Sequence, residues 1–241
     1  MKLALFIPCY VRELYPNVVK STILLLDRLG YKVEIPKKQT CCGQPFINSG
    51  QDTKLPTRMD KIFSKYDEVI GIGSSCVSFT KSQGYSIANK IYELTEFLYK
   101  NNHLNLAQNY PKKIAFHHSC HSIRHLDLKT PSEKGVKEER SKRVKGGKVN
   151  KVKEVLGCEI YETKRDECCG FGGVYSIKEG FISYVMGREK LDDLLSDSPD
   201  VISGIDMSCL MHLKGIAEKD GNKVEFKHIS EIILESLDET L

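Results

Sequence analysis

The sequence predicts an α/β protein of two duplicated, Rossmann-like lobes with parallel sheets, the lobes related by a pseudo-twofold axis. Three observations predict this. Short apolar segments alternate with stretches of helical periodicity, the arrangement that builds a parallel sheet covered on both faces. The order of segments then occurs twice along the 241 residues. Finally, 40% apolar and 28% charged residues supply enough apolar surface for one large core or two small ones.

In the first half, Leu3-Ala4-Leu5-Phe6-Ile7 reads as a strand stopped by Pro8 and followed by Cys9. Residues 16–29 carry Val19, Ile23 and Leu26 on one helical face, with Pro16 at the start and Gly30 just past the end. A second strand within 29–35 leads to Cys41-Cys42-Gly43, and residues 51–66 predict a helix broken near Pro56. A third strand, 67–73, runs into Ser75-Cys76, and a helix over 93–98 closes the half. The second half repeats the order. Lys113 to His118 forms a strand ahead of Ser119-Cys120, and the strand at 156–161 leads to Cys168-Cys169-Gly170. Residues 177–195 predict one long helix, 200–206 a strand running into Ser208-Cys209, and 228–233 the closing helix. The join falls around 101–111, which predicts lobes at 1–105 and 106–241, the second enlarged by a basic insertion near 132–148. That insertion reads as a solvated, exposed excursion.

Composition narrows the function. No apolar run approaches the ~18 residues of a membrane span, and residues 1–10 are too short for a secretory signal. The expectation is a cytoplasmic protein, in which nine cysteines point to metal binding or catalysis rather than disulfides. The net charge of +4 is local, because ten Lys/Arg face three Glu between Lys129 and Lys153 while the remainder is acidic overall. Such a segment could dock an acidic partner. It lacks the interleaved aromatics of single-strand binders, and no nucleic-acid role is expected. Gly71-Ile72-Gly73-Ser74-Ser75 lacks both the third glycine of a dinucleotide fingerprint and the lysine of a P-loop.

Eight of the cysteines follow one rule: Cys, then Cys-Cys-Gly, then Ser-Cys, with 31 and 33 intervening residues in the first half and 47 and 39 in the second. All eight fall just after predicted strands, at the sheet edge where ligands of open parallel sheets bind. Four converging thiolates per half suit a structural zinc ion or an iron–sulfur cluster. Adjacent cysteines strain to reach one tetrahedral ion but can bind different irons, so Cys41-Cys42 and Cys168-Cys169 favour clusters, with zinc left open. Direct thiol chemistry at the same pairs is the third reading. Gly43, Gly170, Gly172 and Gly173 allow close, left-handed backbone that turns N–H groups toward sulfur. Cys158 lies outside the pattern and is assigned to the core. His117, His118, His121 and His125 crowd around Cys120; His121 is the strongest candidate to bond cluster sulfur, whereas His117 reads as a core residue of its strand.

The runs Cys41 to Gly50, His117-His118-Ser119-Cys120-His121 and Cys168-Cys169-Gly170-Phe171-Gly172-Gly173 resemble the cysteine-rich CCG domain family. That family includes the B subunit of heterodisulfide reductase and the iron–sulfur subunit of glycolate oxidase. The resemblance covers nearly the whole chain and is strongest to a stand-alone, two-repeat branch serving lactate utilization. It implies an electron-transfer subunit, not catalytic alone, of a complex that oxidises L-lactate to pyruvate with other iron–sulfur subunits. By the same resemblance, Cys9, Cys41, Cys42 and Cys76 would hold one [4Fe–4S] cluster, and Cys120, Cys168, Cys169 and Cys209 a second. One departure bears on mechanism. Where heterodisulfide reductase has the first cysteine of a closing Cys-x-x-Cys, this chain has Gly73 and Asp206. Four thiols per site suit an ordinary electron-transfer cluster better than heterodisulfide-type redox chemistry, and Asp206 reads as a helix cap.

Overall fold

The computed structural model describes residues 1–131 and 149–238. Its first sheet contains β1 (Leu3–Phe6), β2 (Val33–Glu34), β3 (Glu68–Gly71) and β4 (Ile91–Glu93) in the order β2-β1-β3-β4, all parallel. Its helices are α1 (Cys9–Leu14), α2 (Pro16–Arg28), α3 (Gln44–Asn48), α4 (Leu55–Phe63), α5 (Ser74–Ser82) and α6 (Leu94–Lys100). The second sheet contains β5 (Ile114–His117), β6 (Ile160–Glu162), β7 (Val201–Gly204) and β8 (Glu225–His228) in the equivalent order β6-β5-β7-β8. Around it lie α7 (Cys120–Arg124), α8 (Lys151–Leu156), α9 (Val174–Lys178), α10 (Gly180–Leu195), α11 (Met207–Lys219) and α12 (Ile229–Asp238). The chain is thus an α/β protein of two parallel four-stranded sheets, one per sequence repeat.

The central strands are mostly apolar because helices cover both faces of each sheet. Every residue of β1, β5 and β7 is buried. Fully buried Phe6, Phe63 and Phe97 fill the first lobe, and Phe116 sits in the second. Each such side chain contributes about 1.5–3 kcal/mol from removal of apolar area from water. The twofold relation is visible in how the lobes meet. The closing helix α12 of the second lobe packs on α2 of the first, and α6, which closes the first lobe, packs on α8 of the second. The joining segment is tied to the second lobe: Asn105, Leu106 and Ala107 donate backbone N–H bonds to Glu154, Val155 and Leu156.

Three expectations need correction. Pro56 lies in the first turn of α4 and starts that helix instead of breaking it, since an N-terminal proline loses no helical hydrogen bond. The long helix expected at 177–195 is two helices, α9 and α10, divided at Glu179, whose φ of −119° and ψ of 46° leave the helical region while its N–H caps Tyr175 O at 2.7 Å. Cys158 is not inside a strand: it precedes β6 and is only partly buried. The short strands β4 and β8 were not foreseen as separate from the closing helices. The insertion at 132–148 lies outside the described residues. At its margin Lys129 is unavailable for docking, being held 2.8 Å from Asp166 with its side chain 11% exposed.

Candidate metal centres

In each sheet the chain reverses its direction of winding between the two central strands, at β1/β3 and β5/β7, and the crevice beyond their carboxyl ends is the natural ligand site. Cys9 and Cys120 are the first residues of the helices that follow β1 and β5. Cys76 and Cys209 lie in the first turns of α5 and α11, after β3 and β7. Cys41-Cys42 and Cys168-Cys169 sit in the loops after β2 and β6. All eight line one cleft of about 330 Å³ between the lobes, with Tyr10, Gln44, His121, Phe171 and Asp206.

Within each lobe the thiols form a chain of contacts in the same order. In the first lobe Cys9 neighbours Cys41, Cys41 neighbours Cys42, and Cys42 neighbours Cys76. In the second lobe Cys120 Sγ lies 4.0 Å from Cys168 Sγ, Cys168 meets Cys169, and Cys169 meets Cys209. The hydrogen bond to Cys41 and burial push the Cys9 thiol up, as the bond to Cys168 and burial do for Cys120. Cys169 is raised by Cys168, Cys209 and burial. Cys168 moves down, because Cys120 and Cys169 both donate to it and Gly170 N–H adds a third bond. Crowded thiols therefore cannot all ionise beside one another: one thiolate is stabilised by neighbours that stay protonated. A bound cation removes that restriction, and four soft donors strung in succession along one crevice are the ligand types of zinc or an iron–sulfur centre. By this donor chemistry, both groups of four fit a metal centre.

The adjacent glycines shape the loops. Gly43 and Gly170 have φ of +98° and +87°, and their N–H groups donate to Cys41 Sγ and Cys168 Sγ, each at 3.4 Å. Gly172 and Gly173 line the cleft and turn the chain past Phe171 into α9, their carbonyls accepting from Tyr175 N and Ser176 Oγ. His121 stands between the lobes: Nδ1 is 3.6 Å from Cys120 Sγ, and Nε2 is 3.3 Å from Gln44 Nε2 beside the first-lobe loop. His118 turns away to Glu162, 2.6 Å distant.

Two features were not read from the sequence. One ring nitrogen of His117 and the Sγ atoms of Cys169 and Cys209 lie within 4.8 Å of one another. Burial holds that imidazole neutral, at a pKa of about 3. The second is the joint made by Asp206. It caps α11 by accepting from Ser208 N–H, and across the lobes it accepts from Ser75 N–H at 2.7 Å, Ser74 Oγ at 2.9 Å and Tyr10 OH at 3.1 Å. Ser74 Oγ also meets Ser119 Oγ at 2.6 Å. The position of Asp206 in the closing motif signalled a cap; nothing local in sequence signals donors that lie more than 130 residues away.

The sequence profile of the cysteine-rich domain family, CCG, matches residues 3–78 and 114–214. Lactate utilization protein A 1 of Bacillus mycoides (strain KBAB4) is 32% identical over 254 residues, covering 98% of this chain and 97% of that one. Lactate utilization protein A of Oceanobacillus iheyensis is 32% identical over 251 residues, with 97% and 96% coverage. The Geobacillus sp. (strain WCH70) protein of the same name is also 32% identical, covering 97% of this chain and 99% of its own. Among solved structures, allantoin racemase of Pseudomonas fluorescens aligns over 100% of this chain with a TM-score of 0.30 and 12% identity, too distant to carry an argument. Two cysteine-rich repeats, matched along the length of the full-size relatives, identify the chain as a member of the cysteine-rich CCG domain family, alongside the proteins named lactate utilization protein A.

Proposed function

We propose that this protein is an iron–sulfur electron-transfer subunit of a complex that oxidises L-lactate to pyruvate. The observation that carries the reading is the convergence of two equivalent sets of four thiols on one cleft. Cys9, Cys41, Cys42 and Cys76 would hold one [4Fe–4S] cluster, and Cys120, Cys168, Cys169 and Cys209 the other. The adjacent pairs Cys41-Cys42 and Cys168-Cys169 support a multi-iron group over a single tetrahedral ion. When bound, such a cluster supplies one-electron transfer. The protein's own residues hold it with four sulfurs, orient the loops through Gly43 and Gly170, and keep the surroundings apolar.

Heterodisulfide-type chemistry is disfavoured by Asp206, whose carboxylate is already engaged by Ser74, Ser75, Tyr10 and Ser208. Lactate comes to this chain from its relatives' names. A partner is supported by exposed apolar side chains on the segments that flank the cleft: Phe46 and Ile47 on α3, Ile177 on α9, and Phe181 and Ile182 on α10. Grouped exposure of this kind marks interaction surfaces. Among the described residues no helix is long and apolar enough to cross a membrane.

The test is anaerobic purification followed by iron, zinc and acid-labile sulfide analysis, with electron paramagnetic resonance after reduction. About eight irons and as many sulfides per chain are expected for two four-iron clusters. Zinc near two per chain without sulfide would make the sites structural and refute the electron-transfer reading.

A further inference from the structure

His117 is the last residue of β5 and is 2% exposed. Neither of its ring nitrogens has a hydrogen-bond partner among the described residues. A neutral imidazole always carries one N–H, and a buried donor left unpaired is costly, so this ring needs an acceptor. Sulfur lies close by: a ring nitrogen and the Sγ atoms of Cys169 and Cys209 are within 4.8 Å of one another. The other histidines of the cluster differ. His118 bonds Glu162, and His121 bridges Cys120 and Gln44. The duplicated fold supplies an internal control. His117 pairs with Gly204 on β7 as Phe6 pairs with Gly71 on β3, so the first lobe has a phenyl ring where the second has an imidazole.

We propose that His117 donates its ring N–H to sulfur of the second-lobe centre and thereby makes the two centres unequal, the second holding the electron more tightly. The inference rests on the iron–sulfur reading above. A hydrogen bond to cluster or thiolate sulfur draws charge off the metal and stabilises the reduced state, raising the reduction potential. Phe6 offers no donor. One electron shared between the two clusters would then reside on the second, with no atom or bond exchanged, and the fold itself would give the pair a direction.

The experiment compares anaerobic wild-type protein with His117→Phe, which copies the first lobe, and His117→Gln, which keeps a donor. Iron and sulfide are counted first, then both midpoint potentials are read by redox titration followed by electron paramagnetic resonance. In His117→Phe with wild-type iron and sulfide, one potential should fall and the other hold. The expected shift is about tenfold in the equilibrium between clusters, ~59 mV for a one-electron couple. The Gln variant should shift less. If Phe prevents folding, His117→Leu, which also removes the donor, carries the test in its place, with the same fall expected in one potential. Unchanged potentials in iron-replete variants would overturn the proposal. Loss of half the iron in both variants would overturn it too, since His117 would then be needed to hold the centre. Zinc without sulfide in the wild type would remove the cluster reading itself, a failure recognised before any variant is made.

Discussion

A carbon atom added at Gly170 would lie 2.5 Å from Ser183 O and 2.8 Å from Met186 Cβ, where no real side chain fits. At Gly43 it would meet Pro56 Cδ at 2.9 Å. Both residues also hold positive φ, so a side chain there pays twice, once for conformation and once for collision. Gly170→Ala should therefore destabilise the protein by about 2–4 kcal/mol. Gly30→Ala, where φ is +84° but nothing lies within 4 Å, should cost only the conformational part, about 1–2 kcal/mol. Urea denaturation of the two variants separates the contributions; equal losses would show that Gly170 is kept for φ alone. Metal content gives a second readout, because a displaced Gly170 N–H leaves Cys168, and the second site should empty before the first. Cys42→Ser and Cys169→Ser extend this: each should lower iron by about half if the two sites fill independently. At this scale the cysteines were legible because their chemistry is written in residue type and spacing. His117 was not, because an imidazole in an apolar strand looks the same in sequence whether its ring faces carbon or sulfur.

The two closing helices begin with the same device built from different residues. Glu93 accepts from Thr95 N–H while Glu96 reaches back to the Glu93 N–H; in the second lobe His228 Nδ1 accepts from Ser230 N–H and Glu231 reaches back to the His228 N–H. The helices were readable from their apolar spacing, yet β4 and β8 before them were not, since three or four residues offer too little periodicity to separate a strand from a helix entry. The same brevity makes β2 only two residues long. His228 is fully buried, and burial lowers its pKa to about 4 from an ordinary value near 6.5, so the folded state favours the neutral ring. Its contribution is complete above pH 6.5 and is lost as pH falls from there toward 4, about 3 kcal/mol in all. His228→Asn keeps an acceptor for Ser230 N–H and should show a flatter loss of stability between pH 7 and 4.5 in urea titrations. Glu93, raised to about 8 by burial, acts with the opposite sign: its contribution is present below about 4.5 and fades as pH rises through 8. It is common to both proteins and cancels in the comparison. An unchanged pH slope in His228→Asn would show that the ring is protonated without cost.

The repeat and the pairing of lobes were legible from sequence because a duplicated strand-and-cysteine pattern admits few arrangements that bring its thiols together. What fixes one lobe against the other was not, because it depends on a contact between residues far apart in the chain. That contact centres on Asp206, which is 2% exposed and carries a carboxylate pKa below its ordinary value: bonds from Ser208, Ser75 and Ser74 outweigh the burial that would raise it. Tyr10 and Ser75 come from the first turns of α1 and α5, the helices that bear Cys9 and Cys76, and Ser208 adjoins Cys209. The joint therefore positions ligands of both sites, unlike any single cysteine. Asp206→Ala would leave buried donors of both lobes unpaired and should cost about 3–5 kcal/mol, the range for breaking one side of a buried charged contact. Tyr10→Phe removes one donor to that carboxylate and should cost less, about 1.5–3 kcal/mol. The two variants should differ from the cysteine variants in kind: Asp206→Ala should lower metal occupancy in both lobes together, whereas Cys42→Ser lowers it in one. Iron content measured beside urea midpoints decides the matter. Asp206→Ala protein that loses stability yet keeps one full site would mean that each lobe builds its centre alone, and that the joint between them only holds the cleft closed.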